Sequence, residues 1–202
     1  MRQTILVCII IVSCLPAFSQ QNRNLAVYSS FFNTGDLVEG LGVNKTMGGW
    51  KTVSGKNVFM LGAEYRKPLT KHLSLAAGME YADHEIITVE RLDTPPFTIF
   101  DPVKSHIQFL SIPVYLRYDL LKYFFFSFGT VVDFQLKNDA TNNQSGMAIT
   151  GGTGVKYDFR NGMTVFMHPF YQYHGVIFFN RAGNYPEHLI NAGIRTGVSF
   201  RF

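Results

Sequence analysis

Hydrophobic and polar residues alternate along most of this chain with a period of two, the spacing of a β-strand with one apolar and one polar face. Residues 190–202 are the clearest case. Ile190, Ala192, Ile194, Thr196, Val198, Phe200 and Phe202 fall on one side, and Asn191, Gly193, Arg195, Gly197, Ser199 and Arg201 on the other. Residues 149–159 repeat the pattern, with Ile149, Val155, Tyr157 and Phe159 opposed to Gly152, Gly154, Lys156 and Asp158. Phe124, Phe126, Phe128 and Phe134 oppose Ser127, Gly129 and Asp133; Phe59, Leu61 and Tyr65 oppose Gly62, Glu64 and Arg66; Leu73, Leu75, Met79 and Tyr81 oppose Gly78 and Glu80. Three further segments carry weaker signals. Residues 110–118 alternate around Pro113, which cannot donate to a ladder and is expected to mark a bulge. Residues 163–175 alternate only in part, because Phe166 and Phe170 share a side with His168, Gln172 and His174. Residues 24–32 have strand composition without a clear phase. Eight strands are expected.

The connections predict an up-and-down order. Residues 68–72, 119–122 and 160–162 form short links, the last with an Asn161-Gly162 hairpin signal. Residues 33–56, 83–105, 138–146 and 176–188 read as long polar connections. Short turns at one rim and long loops at the other are the asymmetry of outer-membrane barrels, whose short turns are periplasmic. An even strand number then places both ends of the domain on that side.

Alternation alone leaves open which face meets lipid, and volume decides it. An eight-strand barrel has an interior just wide enough for side chains to fill. Four phenylalanines from one strand would overfill it, whereas Gly62, Gly78, Gly129, Gly152, Gly154, Gly193 and Gly197 suit a narrow lumen. The bulky face is therefore expected outward, with Tyr65, Tyr81, Tyr118, Tyr157 and Phe159 forming aromatic girdles near the strand ends. Glu64, Arg66, Glu80, Arg117, Asp133, Lys156, Arg195 and Arg201 face inward in this phasing. Mixed charges can pair in a confined interior, so a closed, salt-bridged polar lumen is expected instead of an open pore.

The N-terminus adds a destination. Arg2, an apolar run over residues 5–12, and Ala17-Phe18-Ser19 read as a secretory signal peptide with cleavage between Ser19 and Gln20. That gives a leader at 1–19 and a barrel domain at 20–202. The run is too short to span a bilayer, which takes about 20 apolar residues. Residues 11–14 also resemble a lipobox that would acylate Cys14. Both cysteines, Cys8 and Cys14, lie in the leader, so cleavage at Ser19 excludes disulfide and thiol chemistry. The composition agrees with strands and tight turns: 19 Phe, 10 Tyr, 18 Gly and 16% charged residues. The formal net charge of +4 falls by one when Arg2 leaves, and no basic run argues for nucleic acid as a partner.

The stretches FLSIPVYLRYDL, GAEYRKPLTKHLSLAAGMEY and GGTGVKYDF and the ending GVSFRF together resemble the Bacteroidetes outer-membrane β-barrel family that includes PorT-type proteins, over roughly residues 58–202. The resemblance implies fold and outer-membrane location. For PorT-type members it also implies an association with type IX protein secretion, although this chain is short for one. The terminal Phe202, with Phe200, is similar to the signal read by the barrel-assembly machinery. Expected partners are therefore outer-membrane lipid, that machinery, and other envelope or secretion proteins.

Some eight-strand barrels modify lipid A with a histidine, a serine and an acid near the outer rim. His84 with Asp83, His106 with Asp101, His174 and His188 all fall near loop bases here. No spacing fixes a nucleophile to a base, and no ligand pair has a metal-binding spacing, so neither catalytic residues, metal nor cofactor is expected. His168 is assigned to the polar lumen. In residues 93–102, Phe97, Ile99 and Phe100 lie between prolines, either packed over the barrel mouth or open to a partner. Gly151-Gly152-Thr153-Gly154 lies within a strand and is no phosphate loop. The function expected is that of a non-enzymatic outer-membrane barrel with interacting outer loops. A PorT-like secretion accessory, a lipid A-modifying enzyme and a narrow pore are the alternatives.

Overall fold

The computed structural model describes residues 23–39, 49–92, 98–99, 101–138, 145–179 and 187–202. The leader, and with it the cleavage at Ser19 and Gln20 and the fate of Cys14, lies outside the described residues. So does most of the proline-flanked segment at 93–102.

The strands are β1 Asn24–Glu39, β2 Gly49–Pro68, β3 Leu73–Leu92, β4 Thr98–Ile99, β5 Val103–Asp119, β6 Phe124–Asn138, β7 Gly146–Asp158, β8 Met163–Phe178 and β9 Glu187–Arg201. The two-residue β4 only extends the end of β3. The other eight pair antiparallel with their neighbours, and β9 returns to β1, closing the sheet on itself. Closure leaves no unpaired edge, the condition for spanning lipid with strands. The seam is tied at its last residues, where Arg23 and Phe202 exchange N–H···O bonds of 3.2 and 3.0 Å.

Two of the three short turns are locked by a particular residue. At residues 159–162, Gly162 takes φ +83°, open only to a residue without Cβ strain, and the Asn161 Oδ1 accepts from the Met163 N–H at 3.1 Å. In the β2–β3 turn, the Thr70 Oγ1 accepts from the Leu73 and His72 N–H groups at 3.0 and 3.3 Å. That turn also docks on the next strand through Asp119 N–H to the His72 carbonyl at 2.7 Å.

The strands run well past the expected boundaries at the other rim. β1 continues to Glu39, β2 begins at Gly49, and β3 reaches Leu92. Crossing the hydrocarbon takes about 9–11 tilted residues, so about half of the 20-residue β2–β3 hairpin stands beyond it. Pro113 also departs from expectation. It pairs with Val131 in unbroken register, and the β5 irregularity falls between Gln108 and Phe109. On its other side Pro113 lies opposite Gly78, where the register stays constant although the ladder skips that pair. The missing donor is absorbed without an inserted residue.

Burial follows the two-residue period. Phe124, Phe126, Phe128 and Phe134 are exposed on the outside, Phe128 most at 68%. Around the short-turn rim Tyr118, Tyr123, Tyr157 and Phe159 form a girdle in which Tyr123 and Tyr157 stack and Phe159 meets Tyr157 edge-on at 4.8 Å. On β3 and β5 the apolar exterior ends in an outward polar ladder. Lys104 pairs with Glu85 at 2.9 Å, while His106 and Gln108 both reach Asp83 at 3.3 Å. Such a row marks where the strands leave hydrocarbon, since exposed charges are costly within it.

Candidate functional site

The lumen is built from every second residue of each strand, and the strand registers stack its side chains in tiers. At the short-turn mouth the Asp119 carboxylate takes two cations on separate oxygens, Arg117 Nε at 3.2 Å and Lys156 Nζ at 2.7 Å. Above it the Arg66 Nε donates to Glu64 Oε1 at 2.6 Å, while the Tyr115 hydroxyl donates to Glu64 Oε2. The next tier joins four strands. Glu80 accepts from the Tyr28 hydroxyl at 2.8 Å and pairs with Arg195 at 3.1 Å, and Arg195 also donates to the Gln172 Oε1 at 3.2 Å. Beside these, Ser127 and His168 Nε2 are 2.7 Å apart.

Aromatic rings separate and brace the charges. The Arg117 guanidinium lies 3.5 Å from the Phe125 ring centroid, and that of Arg195 lies 3.9 Å from Phe170. Face-on contacts of this kind gain about 2 kcal/mol when desolvated. The glycines expected inside now have partners. Tyr28 pairs with Gly62, Tyr115 with Gly129, Phe125 with Gly154, and Phe166 with Gly197, each across adjacent strands. A Cβ at Gly197 would stand 2.7 Å from the Phe166 ring. The Tyr28, Phe125 and Phe166 rings lie in space that a side chain at Gly62, Gly154 or Gly197 would occupy, whereas at Gly129 a Cβ would meet the backbone and Cβ of Tyr115. The lumen therefore holds rings as well as glycines and ions, which the volume estimate from sequence assigned too strictly to the outside.

Toward the long-strand rim, Asp133 accepts from the Ser111 hydroxyl at 2.6 Å and from His174 Nδ1 at 2.7 Å. Met60, Ala82, Ile107, Phe109 and Leu189 then form an apolar plug, continuous with Phe170 below. His84 lies fully buried against it, edge-on to Phe109, and His174 stacks on the same ring.

The candidate residues sort clearly in this frame. Glu64, Arg66, Glu80, Arg117, Asp133 and Arg195 are buried in the lumen, Lys156 is half-buried at its mouth, and Arg201 is exposed at the short-turn rim. Arg201 departs from its expected place in the network because its strand ends there and its side chain reaches the mouth. Phe200 and Phe202 face outward at that rim.

The histidine–acid pairs read from the sequence do not form. Asp83 and His84 are consecutive on β3 and point to opposite sides of the wall. His106 pairs with Asp83 on the exterior, not with Asp101. His188 stacks on Tyr173 at 5.2 Å, and its Nδ1 meets the His174 carbonyl. In the Ser111–Asp133–His174 group the acid lies in the middle, so histidine cannot take the serine proton directly as a general base. Among the described residues no group of three or more His, Cys, Asp or Glu side chains is arranged to hold a metal.

Sequence reasoning gave Tyr115 and Gln172 a face but no role, and did not find Tyr28 or Asp119. Tyr115 and Gln172 follow from the phase of strands already identified. A detectable signal for Tyr28 was the cross-strand glycine, which required knowing the register.

No family model matches the chain, and no curated protein matches its sequence. Among solved structures the chain is similar to the outer membrane protein OprG from Pseudomonas aeruginosa. The two share 11% identity with a TM-score of 0.52, over 91% of this chain and 97% of that one. It is similar to the same degree to the outer membrane protein AlkL in DMPC lipid bilayers, at 14% identity with a TM-score of 0.52, over 91% and 90% of the two chains. At such identities the likeness is one of fold. With its closed eight-stranded wall, apolar outer surface and ion-paired interior, the chain is an outer-membrane β-barrel protein.

Proposed function

We propose that this barrel is a non-enzymatic envelope component that conducts no solute and acts through the strands and loops standing beyond the bilayer. The observation that carries this reading is the filled lumen. Three tiers of paired charges, the rings packed against them and the Met60–Phe109–Leu189 plug succeed one another inward from the short-turn mouth. A water-filled path would have to break buried ion pairs, each costing about 3–5 kcal/mol when one partner is lost. Activity is then left to the exterior, where β3 and β5 carry an outward row of charged and polar residues beyond the apolar belt. The histidines singled out as catalytic candidates are engaged in packing, stacking or ion pairing, which supports a structural role for them.

Planar-bilayer recording tests the closed lumen. Purified protein should leave the membrane conductance at its lipid baseline, and reproducible unitary steps would overturn the reading. Mild crosslinking in cells followed by copurification should then capture envelope proteins through the long-strand rim.

A second reading, a PorT-like accessory of type IX secretion, rests on the resemblance around residues 109–120. There Ser111 binds Asp133, Pro113 lies opposite Gly78, and Arg117 binds Asp119. Much of that motif therefore serves the barrel wall itself. Loss of surface-protein export on deletion of the gene would favour the secretion role.

A further inference from the structure

The short-turn mouth is not filled like the rest of the lumen. A recess of about 250 Å³ opens there between the β2–β3 turn, the end of β5 and the last residue of β9. At that size, just below the roughly 300–1,000 Å³ of drug-sized sites, it suits a small polar group. Its walls carry three cations, Arg66, Lys71 and Arg201, and one acid, Asp119. The acid contributes little negative potential, because its two oxygens are already held by Arg117 and Lys156. Arg66 is likewise held by Glu64. Lys71 and Arg201 make no ion pair with any described residue.

The neutral lining also donates. The Thr70 oxygen accepts from two backbone N–H groups, which leaves its own hydrogen to give. Asn24 adds an amide. The turn is held rigidly by those two bonds and by its docking on Asp119, so the donors are set before any ligand arrives. Preset backbone and hydroxyl donors lower the cost of ordering the site, which is then confined to the Lys71 and Arg201 side chains.

We propose that this recess is a binding site for a phosphate group, taken from the aqueous compartment at the short-turn rim or from a lipid headgroup of the adjoining leaflet. Lys71 and Arg201 supply the uncommitted charge, and Thr70 and Asn24 supply neutral donors. Two cations with hydrogen-bond donors match the several acceptor oxygens of a phosphate better than the two of a carboxylate.

The test uses the full barrel in maltoside micelles and phosphate-free buffer, followed by amide NMR. Titration with inorganic phosphate should shift the amides of Thr70, His72, Leu73 and Arg201 saturably, and chloride at equal ionic strength should not. Lys71→Ala and Arg201→Ala should each weaken binding about threefold and together about tenfold, as expected for exposed charge-assisted contacts. Lys122→Ala, on the neighbouring turn outside the recess, should leave it unchanged. Lys71 lies on an exposed turn, so its variant reports even if Arg201→Ala assembles poorly. The same shifts on transfer to phosphatidylglycerol nanodiscs, without a response to inorganic phosphate in micelles, would assign the ligand to the headgroup. Non-saturating shifts in both settings, or equal weakening by Lys122→Ala, would overturn the site.

Discussion

Glu80 and Arg195 stand 115 positions apart in sequence and meet at 3.1 Å in the middle of the lumen, where both are fully buried. The pair links β3 to β9, which are separated in the sheet by β2 and β1, so it braces the barrel across the lumen. Removing one charge leaves the other buried and alone. Arg195→Met should destabilise the barrel by about 3–5 kcal/mol, read from urea unfolding in micelles. Arg195→Met combined with Glu80→Gln should recover part of the loss, because the amide can still accept from Tyr28. Losses of Arg195→Met and Glu80→Gln that simply add in the double variant would show that the pair is not coupled.

The ring-and-glycine pairs give a second prediction. Phe125 covers Gly154, and a side chain at that position would collide with the ring. Gly154→Val should cost about 1–3 kcal/mol through overpacking. Gly154→Val with Phe125→Leu should be less damaging than the sum of the two changes, since the smaller residue gives room. Additive losses in the same unfolding assay would mean that the two positions do not share space.

These two relationships also show how far the sequence can be read. The phase of most strands was legible, as where Phe124, Phe126 and Phe128 contrast with Ser127 and Gly129, and phase alone assigns Glu64, Glu80 and Arg195 to the interior; residues 24–32 gave no phase. Which acid meets which base was not legible. Glu64 pairs with Arg66 on its own strand, whereas Glu80 reaches across the lumen, and the choice depends on register and tilt. The upper strands were hidden for a different reason. At Asp83 and Glu85 the outward face turns polar and pairs with β5, so the apolar half of the alternation is lost there. The run of Ile86, Ile87, Thr88 and Val89 nevertheless has the β-branched composition of a strand. The histidine pairs failed because adjacency in sequence was taken as adjacency in space, and successive residues of a strand face opposite ways.

The lipid-facing assignment can be tested by placing a charge at two heights. Phe128 lies mid-strand on the outer surface, whereas His106 lies on the polar ladder beside Asp83. Phe128→Arg should cost about 2–4 kcal/mol in refolding into lipid vesicles, and His106→Arg about 0–1 kcal/mol. Equal costs at the two sites would place both outside the hydrocarbon or both within it.

The last residue separates assembly from stability. Phe202 is exposed on the outside of the barrel, yet its backbone closes the β1–β9 seam through two hydrogen bonds to Arg23. Those bonds do not depend on the side chain, so Phe202→Ser keeps the seam and loses only the partial burial of one ring in the interface. That loss is worth no more than about 1–2 kcal/mol, and refolded protein should unfold in urea at nearly the wild-type midpoint. If Phe202 also serves as a recognition signal for the assembly machinery, the heat-modifiable, folded fraction in cell envelopes should fall severalfold while unfolded chain accumulates. A parallel small decrease in both measurements would assign Phe202 to lipid contact alone. A large loss of stability in the purified variant would instead show that the ring, and not the backbone seam, holds the end of β9 in place.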